Sequence, residues 1–389
     1  MIKLADRIKK INPSVTLAIS AKAKKLKSEG KDVVNFSAGE PDFDTPDFIK
    51  DAAIEAIKSG FTKYTPTTGI ADLKQLIVEK FKKDNSLNYL PEQIVVSSGA
   101  KHSIFNTILT VIERGDEAII PSPYWVSYPE MVNLCEGEVK SIESDPKNNF
   151  KITPQQLKKA ISSKTKLLIL NTPSNPCGSV YSREELEQIA QICVSKKIFV
   201  ISDEIYEKLT YDGLRHYSIG ALNNDIYNLT VTVNGVSKAY SMTGWRIGYL
   251  GGSLKIVKAI SDIQDHSTSN PTSISQKAAA AALSSDDSFT QNMCREFEKR
   301  RDYILMRLDK IKKISYVKPQ GAFYIFCDIS RCRMGSVEFA SRLLDETFVA
   351  LIPGKGFGKD DYVRISFATS QSQIEKGMDR MEDWINKNG

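Results

Sequence analysis

Lys238 is the residue of this chain best placed for covalent chemistry. It stands in the stretch Val231 to Gly252, VTVNGVSKAYSMTGWRIGYLGG. The alternating Val231 and Val233 predict a strand running into a loop that carries Ser237, Lys238 and Arg246. In a doubly wound sheet, ligands gather beyond the carboxyl ends of the strands. A lysine there attacks an aldehyde once its amine is neutral. Burial beside a second cation such as Arg246 lowers a pKa that is ordinarily about 10.4. Ser237 and Arg246 offer a hydroxyl and a planar guanidinium, both suited to phosphate oxygens. An aldehyde and a phosphate on one molecule point to pyridoxal phosphate. The plainer alternative is a solvated lysine on a strand-to-helix loop.

Other polar groups fall at similar places. Ser98-Gly99-Ala100-Lys101 lies between a strand and a helix, where free N–H groups favour a phosphate. Trp125, in a Pro-Tyr-Trp loop, offers an indole to stack on a flat ring, or else a packed core side chain. Asn175 precedes Pro176, where a cis peptide is cheap, and its amide suits a phenolic oxygen. Asp203 and Tyr206 follow a strand three residues apart. A buried aspartate needs a partner, and a protonated pyridine nitrogen is one; a helix cap is the competing reading. Arg364, inside the apolar strand Tyr362 to Phe367, suits a substrate carboxylate or a structural ion pair.

The elements that must position these groups alternate. Apolar runs at Ile94–Ser98, Ala118–Ile120, Leu167–Leu170, Ile198–Ser202 and before Lys238 read as strands, with helical patterns between them. Helices are predicted from Pro46 to Ser59 and from Ile70 to Asp84, on either side of the polar loop 60–69 that holds Tyr64. Alternation from about 93 to 235, with strands apolar on both faces, predicts an α/β fold built on a mostly parallel doubly wound sheet. Beyond Ser284 comes a charged helix from Asp286 to about Lys313. Short strands and helices then suggest a smaller α+β unit.

Composition narrows the class. The 389 residues carry 53 basic and 47 acidic groups, a mild excess spread along the chain, so no nucleic-acid footprint is expected. The six cysteines and three histidines show no metal-binding spacing and suit a reducing compartment. No secretory signal or apolar stretch of membrane-spanning length is read. These features predict a cytoplasmic protein with no metal and no membrane partner.

Four motifs together resemble a known family. Ser-Lys-x-x-x-Met-x-Gly-x-Arg (Ser237 to Arg246), Ser-Asp-Glu-Ile-Tyr (Ser202 to Tyr206), Asn-x-Pro-x-Asn-Pro-x-Gly (Asn171 to Gly178) and Val-Arg-Ile-Ser (Val363 to Ser366) resemble class I pyridoxal-phosphate-dependent aminotransferases. The resemblance covers essentially the whole chain. It implies a fold-type I transferase: an arm and part of a small domain at 1–46, a large cofactor domain at 47–285 and a small domain at 286–389. It implies that Lys238 binds the cofactor aldehyde, Asp203 the pyridine nitrogen, and Tyr206 with Asn175 the ring hydroxyl. Trp125 would stack on the ring. Gly99, Ala100, Lys101, Ser237 and Arg246 would surround the phosphate. A homodimer with shared sites would bring Tyr64 to the partner's phosphate. Arg364 would hold the substrate α-carboxylate, with Gly39 closing on it.

The motifs Pro13-Ser14-Val15-Thr16 and Ser122 to Pro129 are similar to the bacterial branch of aspartate aminotransferases. There Lys101, with Ser14 and Thr16, would take the distal carboxylate of a dicarboxylic substrate. A basic residue at the position of Asn12 goes with prephenate use in that branch, and asparagine lacks the charge. The expected reaction is L-aspartate with 2-oxoglutarate, giving oxaloacetate and L-glutamate by ping-pong exchange. Its rivals are aromatic, alanine or prephenate specificity, a β-lyase, and a non-catalytic regulator with the same fold.

Overall fold

The computed structural model describes residues 2–11 and 15–388, with backbone alone for 15–17. Asn12 and Ser14 therefore lie outside the described residues, as does the side chain of Thr16. After the helix Val15–Ser28 comes strand β1 (Val34–Asn35). Strands β2 (Ile94–Ser97), β3 (Glu117–Ser122), β4 (Glu138–Glu143), β5 (Thr165–Asn171), β6 (Phe199–Asp203), β7 (Thr230–Gly235) and β8 (Gly248–Gly251) form one seven-stranded sheet in the order β2-β8-β7-β6-β5-β3-β4. Strands β9 (Ser315–Tyr316), β10 (Tyr324–Asp328), β11 (Val349–Ala350), β12 (Ile352–Pro353) and β13 (Tyr362–Ser366) complete the set. Of these, β12-β13-β10-β9 form an antiparallel sheet, while β11 pairs with β1 in parallel.

The central strands are apolar throughout because both faces are covered. Along β5, Leu167 and Ile169 point into one core and Leu168 and Leu170 into the other. In β6, Ile201 and Val200 divide the same way. This is the period of two expected of a strand, with no polar face left over. Helices Ala100–Val111, Ser127–Leu134 and Leu254–Asp265 cover the first face. Pro154–Ala160 and Arg183–Lys196 cover the second. Ser182 opens the latter helix: its hydroxyl accepts from the Glu185 amide, and the Glu185 carboxylate accepts from the Ser182 amide.

Three features differ from the sequence reading. First, β8 runs antiparallel between β2 and β7. Its sequence, Gly-Tyr-Leu-Gly, carries little strand signal. Its glycines are there for clearance: a Cβ on Gly248 would stand 2.1 Å from the Ala100 nitrogen, and one on Gly251 would stand 2.4 Å from the Tyr89 ring. Second, the edge strand β4, Glu-Val-Lys-Ser-Ile-Glu, is largely polar and gives no apolar run in the sequence; charge is how an edge resists pairing with other chains. Third, the long charged helix spans Ser288–Leu308 and stops short of Lys313.

The amino-terminal segment packs with the carboxyl-terminal sheet. Ile19, Val34 and Phe36 share a core with Ile325, Val349, Ile365 and Trp384. A Cβ on Gly377 would stand 2.3 Å from the Phe36 ring, so the last helix lies directly on that side chain. No helix among the described residues is long and apolar enough to cross a membrane.

Candidate active site

The carboxyl ends of β2, β3, β5, β6 and β7 open onto one cavity of about 380 Å³. Its walls include Gly39, Ala100, Lys101, Trp125, Asn175, Asp203, Tyr206, Ser237, Lys238, Arg246 and Arg364. Residues spread over more than 320 positions of sequence thus meet in one place. Lys238 lies in a short helix, Val236–Ala239, rather than a loop. Its Nζ donates to the Gly39 carbonyl at 2.6 Å. Removal from water pushes the ammonium down to about 8; the Arg364 and Arg246 charges add to this, and Glu40 and Asp203 oppose it.

Asp203 ends β6 with its carboxylate buried. Burial pushes its pKa up to about 6, against the Tyr128 hydroxyl and the Ile205 amide, which donate at 2.6 and 3.2 Å. Behind it lies Glu204, fully buried. Burial raises the Glu204 pKa, but His216, Ser218 and Ser202 outweigh this and leave it below its ordinary value. Asn85 also donates to Glu204, at 2.9 Å. An anion so well held adds to the rise in the Asp203 pKa.

The end of the cavity lined by Ala100, Ser237 and Arg246 is shaped by a clearance. Gly99 has φ +88°, and a Cβ there would stand 2.3 Å from Arg246 Nη2. The guanidinium thereby lies against the start of the helix Ala100–Val111, bonded to the Ser98 and Thr243 carbonyls. The helix's first amides point the same way. Ser237 lines the same cavity.

At the other end Arg364 is buried between the Tyr324 and Phe357 rings, 4.3 and 5.3 Å from their centres. It donates to Asn175 Oδ1 at 3.1 Å and to the Ser37 carbonyl at 2.9 Å, while its Nε has no partner. Burial lowers its pKa, and no carboxylate among the described residues is bonded to it. A guanidinium with an orphaned buried N–H is an anion site. Lys101 stands at the rim with Nζ 4.8 Å from the centre of the Trp125 ring. Desolvation and then Arg246 draw its pKa down.

Tyr64 does not line this cavity; it is 92% exposed. Tyr128, Tyr324 and Ser37 also line it, beyond the residues the sequence singles out. Tyr128 follows Trp125 by three residues, one helical turn, and that spacing is the signal that could have flagged it. The sequence places Tyr324 in an apolar strand; its hydroxyl lies 2.9 Å from that of Tyr206.

These groups fit pyridoxal phosphate. They comprise an amine poised near neutrality, a buried carboxylate without a cationic partner, a glycine-cleared cradle and an orphaned guanidinium N–H. Comparison with known proteins agrees. The family model for aminotransferase class I and II matches residues 31–381. The chain is 50% identical over 387 residues to the aspartate aminotransferase of Bacillus sp. strain YM-2, covering 98% of this chain and 99% of that one. Its fold is similar to the aspartate aminotransferase of Rhizobium meliloti, with a TM-score of 0.96, 38% identity and full coverage of both chains. It is also similar to that of Thermus thermophilus with maleate: TM-score 0.95, 40% identity, 98% of this chain and 100% of the other.

Proposed function

As this chain belongs to the class I and II aminotransferase family, with its fold and its pyridoxal phosphate, we propose that it moves the amino group of L-aspartate to 2-oxoglutarate. One observation carries the substrate assignment. Beyond Lys238 and Arg246, which the cofactor would engage, the cavity is lined by two further cations, Arg364 and Lys101, neither bonded to a carboxylate among the described residues. A dicarboxylate supplies a partner for each. The relative solved with maleate, itself a dicarboxylate, supports the same reading.

Bound pyridoxal phosphate supplies an aldehyde for amino groups and a ring that withdraws electrons from the substrate Cα. Asp203 holds a proton on the ring nitrogen. Tyr206 and Asn175 donate to the ring hydroxyl, and Asn175 has its amide free for this because its Oδ1 already accepts from Arg364. Trp125 packs on the ring face. The Ala100 and Lys101 amides, beside Gly99, hold the phosphate with Ser237 and Arg246. Arg364 grips the substrate α-carboxylate, and Gly39 closes above it and keeps water out. Lys101 takes the distal carboxylate, joined by Ser14 and Thr16. Lys238 Nζ would bind the cofactor aldehyde and, as a free amine, would take the proton from the substrate Cα.

The same reading extends to the whole chain. Residues 1–46 form an arm and part of a small domain, 47–285 the large domain and 286–389 the rest of the small one. The core shared by Ile19, Phe36 and Trp384 supports this division. Two copies form a dimer, in which Tyr64 of each reaches the other's phosphate; its exposure supports that role. The protein works in the cytoplasm, in keeping with its six free cysteines. Single-turnover half-reactions with aspartate, tyrosine and alanine test the substrate. Aspartate is expected to react with the highest kcat/KM, and a faster reaction with tyrosine would overturn the role given to Lys101.

A further inference from the structure

We propose that Tyr128 is a positioning residue that acts through Asp203: its hydroxyl keeps that carboxylate ionised and aimed at the cofactor's ring nitrogen. The inference rests on the assignment of Asp203 to the ring nitrogen and goes beyond it. The Tyr128 hydroxyl donates to Asp203 Oδ2 at 2.6 Å, while Oδ1 has only the Ile205 amide, at 3.2 Å. Tyr128 is 2% exposed, and its ring meets that of Trp125 edge-on, 5.3 Å between centres. The hydroxyl is therefore fixed by packing.

The other groups facing Asp203 do not do this work. Glu204, next in the chain, raises its pKa, and burial raises it more. Lys238 lowers it, but that cation is lost once its nitrogen holds the cofactor. The Tyr206 hydroxyl is engaged with Tyr324. With Lys238 neutralised, the Tyr128 hydroxyl and the Ile205 amide remain as the donors that favour the charged carboxylate. A phenol suits this task because it is neutral. It stabilises the anion without placing a competing cation beside a ring nitrogen that must itself be protonated. Burial and the Asp203 charge raise the phenol's own pKa, so it stays a donor at any pH of interest.

Tyr128→Phe keeps the ring against Trp125 and removes only the hydroxyl. In the holoenzyme it is expected to weaken cofactor retention on dialysis about tenfold. It should also move the pH titration of the lysine-bound cofactor's absorbance upward by about one unit, because a ring nitrogen that loses its proton holds the neighbouring one more tightly. Replacing Tyr128 with 3-fluorotyrosine, a stronger donor of nearly the same shape, should move the titration the other way. Combined with Asp203→Asn, Tyr128→Phe should add little to either measurement. Unchanged retention and titration in Tyr128→Phe would overturn the proposal, and so would effects that add fully in the double variant. If Asp203→Asn alone changes neither, the assignment of Asp203 fails first and the role of Tyr128 with it.

Discussion

At the scale of residues, the site works by moving pKa values toward each other. Lys238 is pushed down to about 8 and Asp203 up to about 6, both chiefly by loss of water. Only the neutral amine attacks an aldehyde. Capture of pyridoxal phosphate by cofactor-free protein should therefore quicken as pH rises, with a midpoint near 8, as followed by absorbance. A midpoint near 10 would mean that the lysine is fully solvated. Lys238→Ala should lower transamination of aspartate by roughly 10⁴-fold or more. Arg364→Met should lower kcat/KM for aspartate about a hundredfold if Arg364 holds the α-carboxylate as proposed. The type and spacing of most of these residues were legible in the sequence. The pairing of Tyr128 with Asp203 was not, because a hydrogen bond between positions 75 apart leaves no local pattern.

At the scale of elements, close approach decides what the glycines do. Gly99 combines φ +88° with a Cβ position 2.3 Å from Arg246. Gly99→Ala should cost about 1–3 kcal/mol in stability and weaken cofactor binding together, measurable by thermal melts with and without the cofactor. Gly248 faces backbone rather than a movable side chain, so Gly248→Ala should be the worse of the two. The sequence marked Gly99 as a turn, since it sits between an apolar run and a helical pattern. It did not mark β8, since two of that strand's four residues are glycines whose purpose is clearance beneath the Ala100 turn and Tyr89. The polar β4 escaped for a related reason: an edge strand has only one partner and need not be apolar on both faces.

At the scale of the whole molecule, the cavity draws on both ends of the chain. Gly39 meets Lys238, and Ser37 meets Arg364. Asp42 is tied to Arg300 at 2.7 Å, and Thr45 to the Ser241 carbonyl. The segment 37–45 is thus bonded both to the long helix Ser288–Leu308 and to the Lys238 region, and motion between those parts would be felt at the substrate. The proposed dimer makes a further prediction. Lys238→Ala chains mixed with Tyr64→Ala chains should regain about a quarter of the intact sites after subunit exchange, measured by cofactor binding and activity. No gain on mixing would mean that each copy builds its site alone.

The order of strand, helix and polar strand-end residues determined the class of fold and nearly every reactive group, because burial and periodicity act over a few neighbouring residues and are written locally. What tertiary structure alone decided is who touches whom: the phenol bonded to Asp203, the carbonyl over Lys238, the bare N–H of Arg364 and the antiparallel strand under the Ala100 turn. Those depend on distances between segments far apart in the chain, and such distances exist only after the cores have closed.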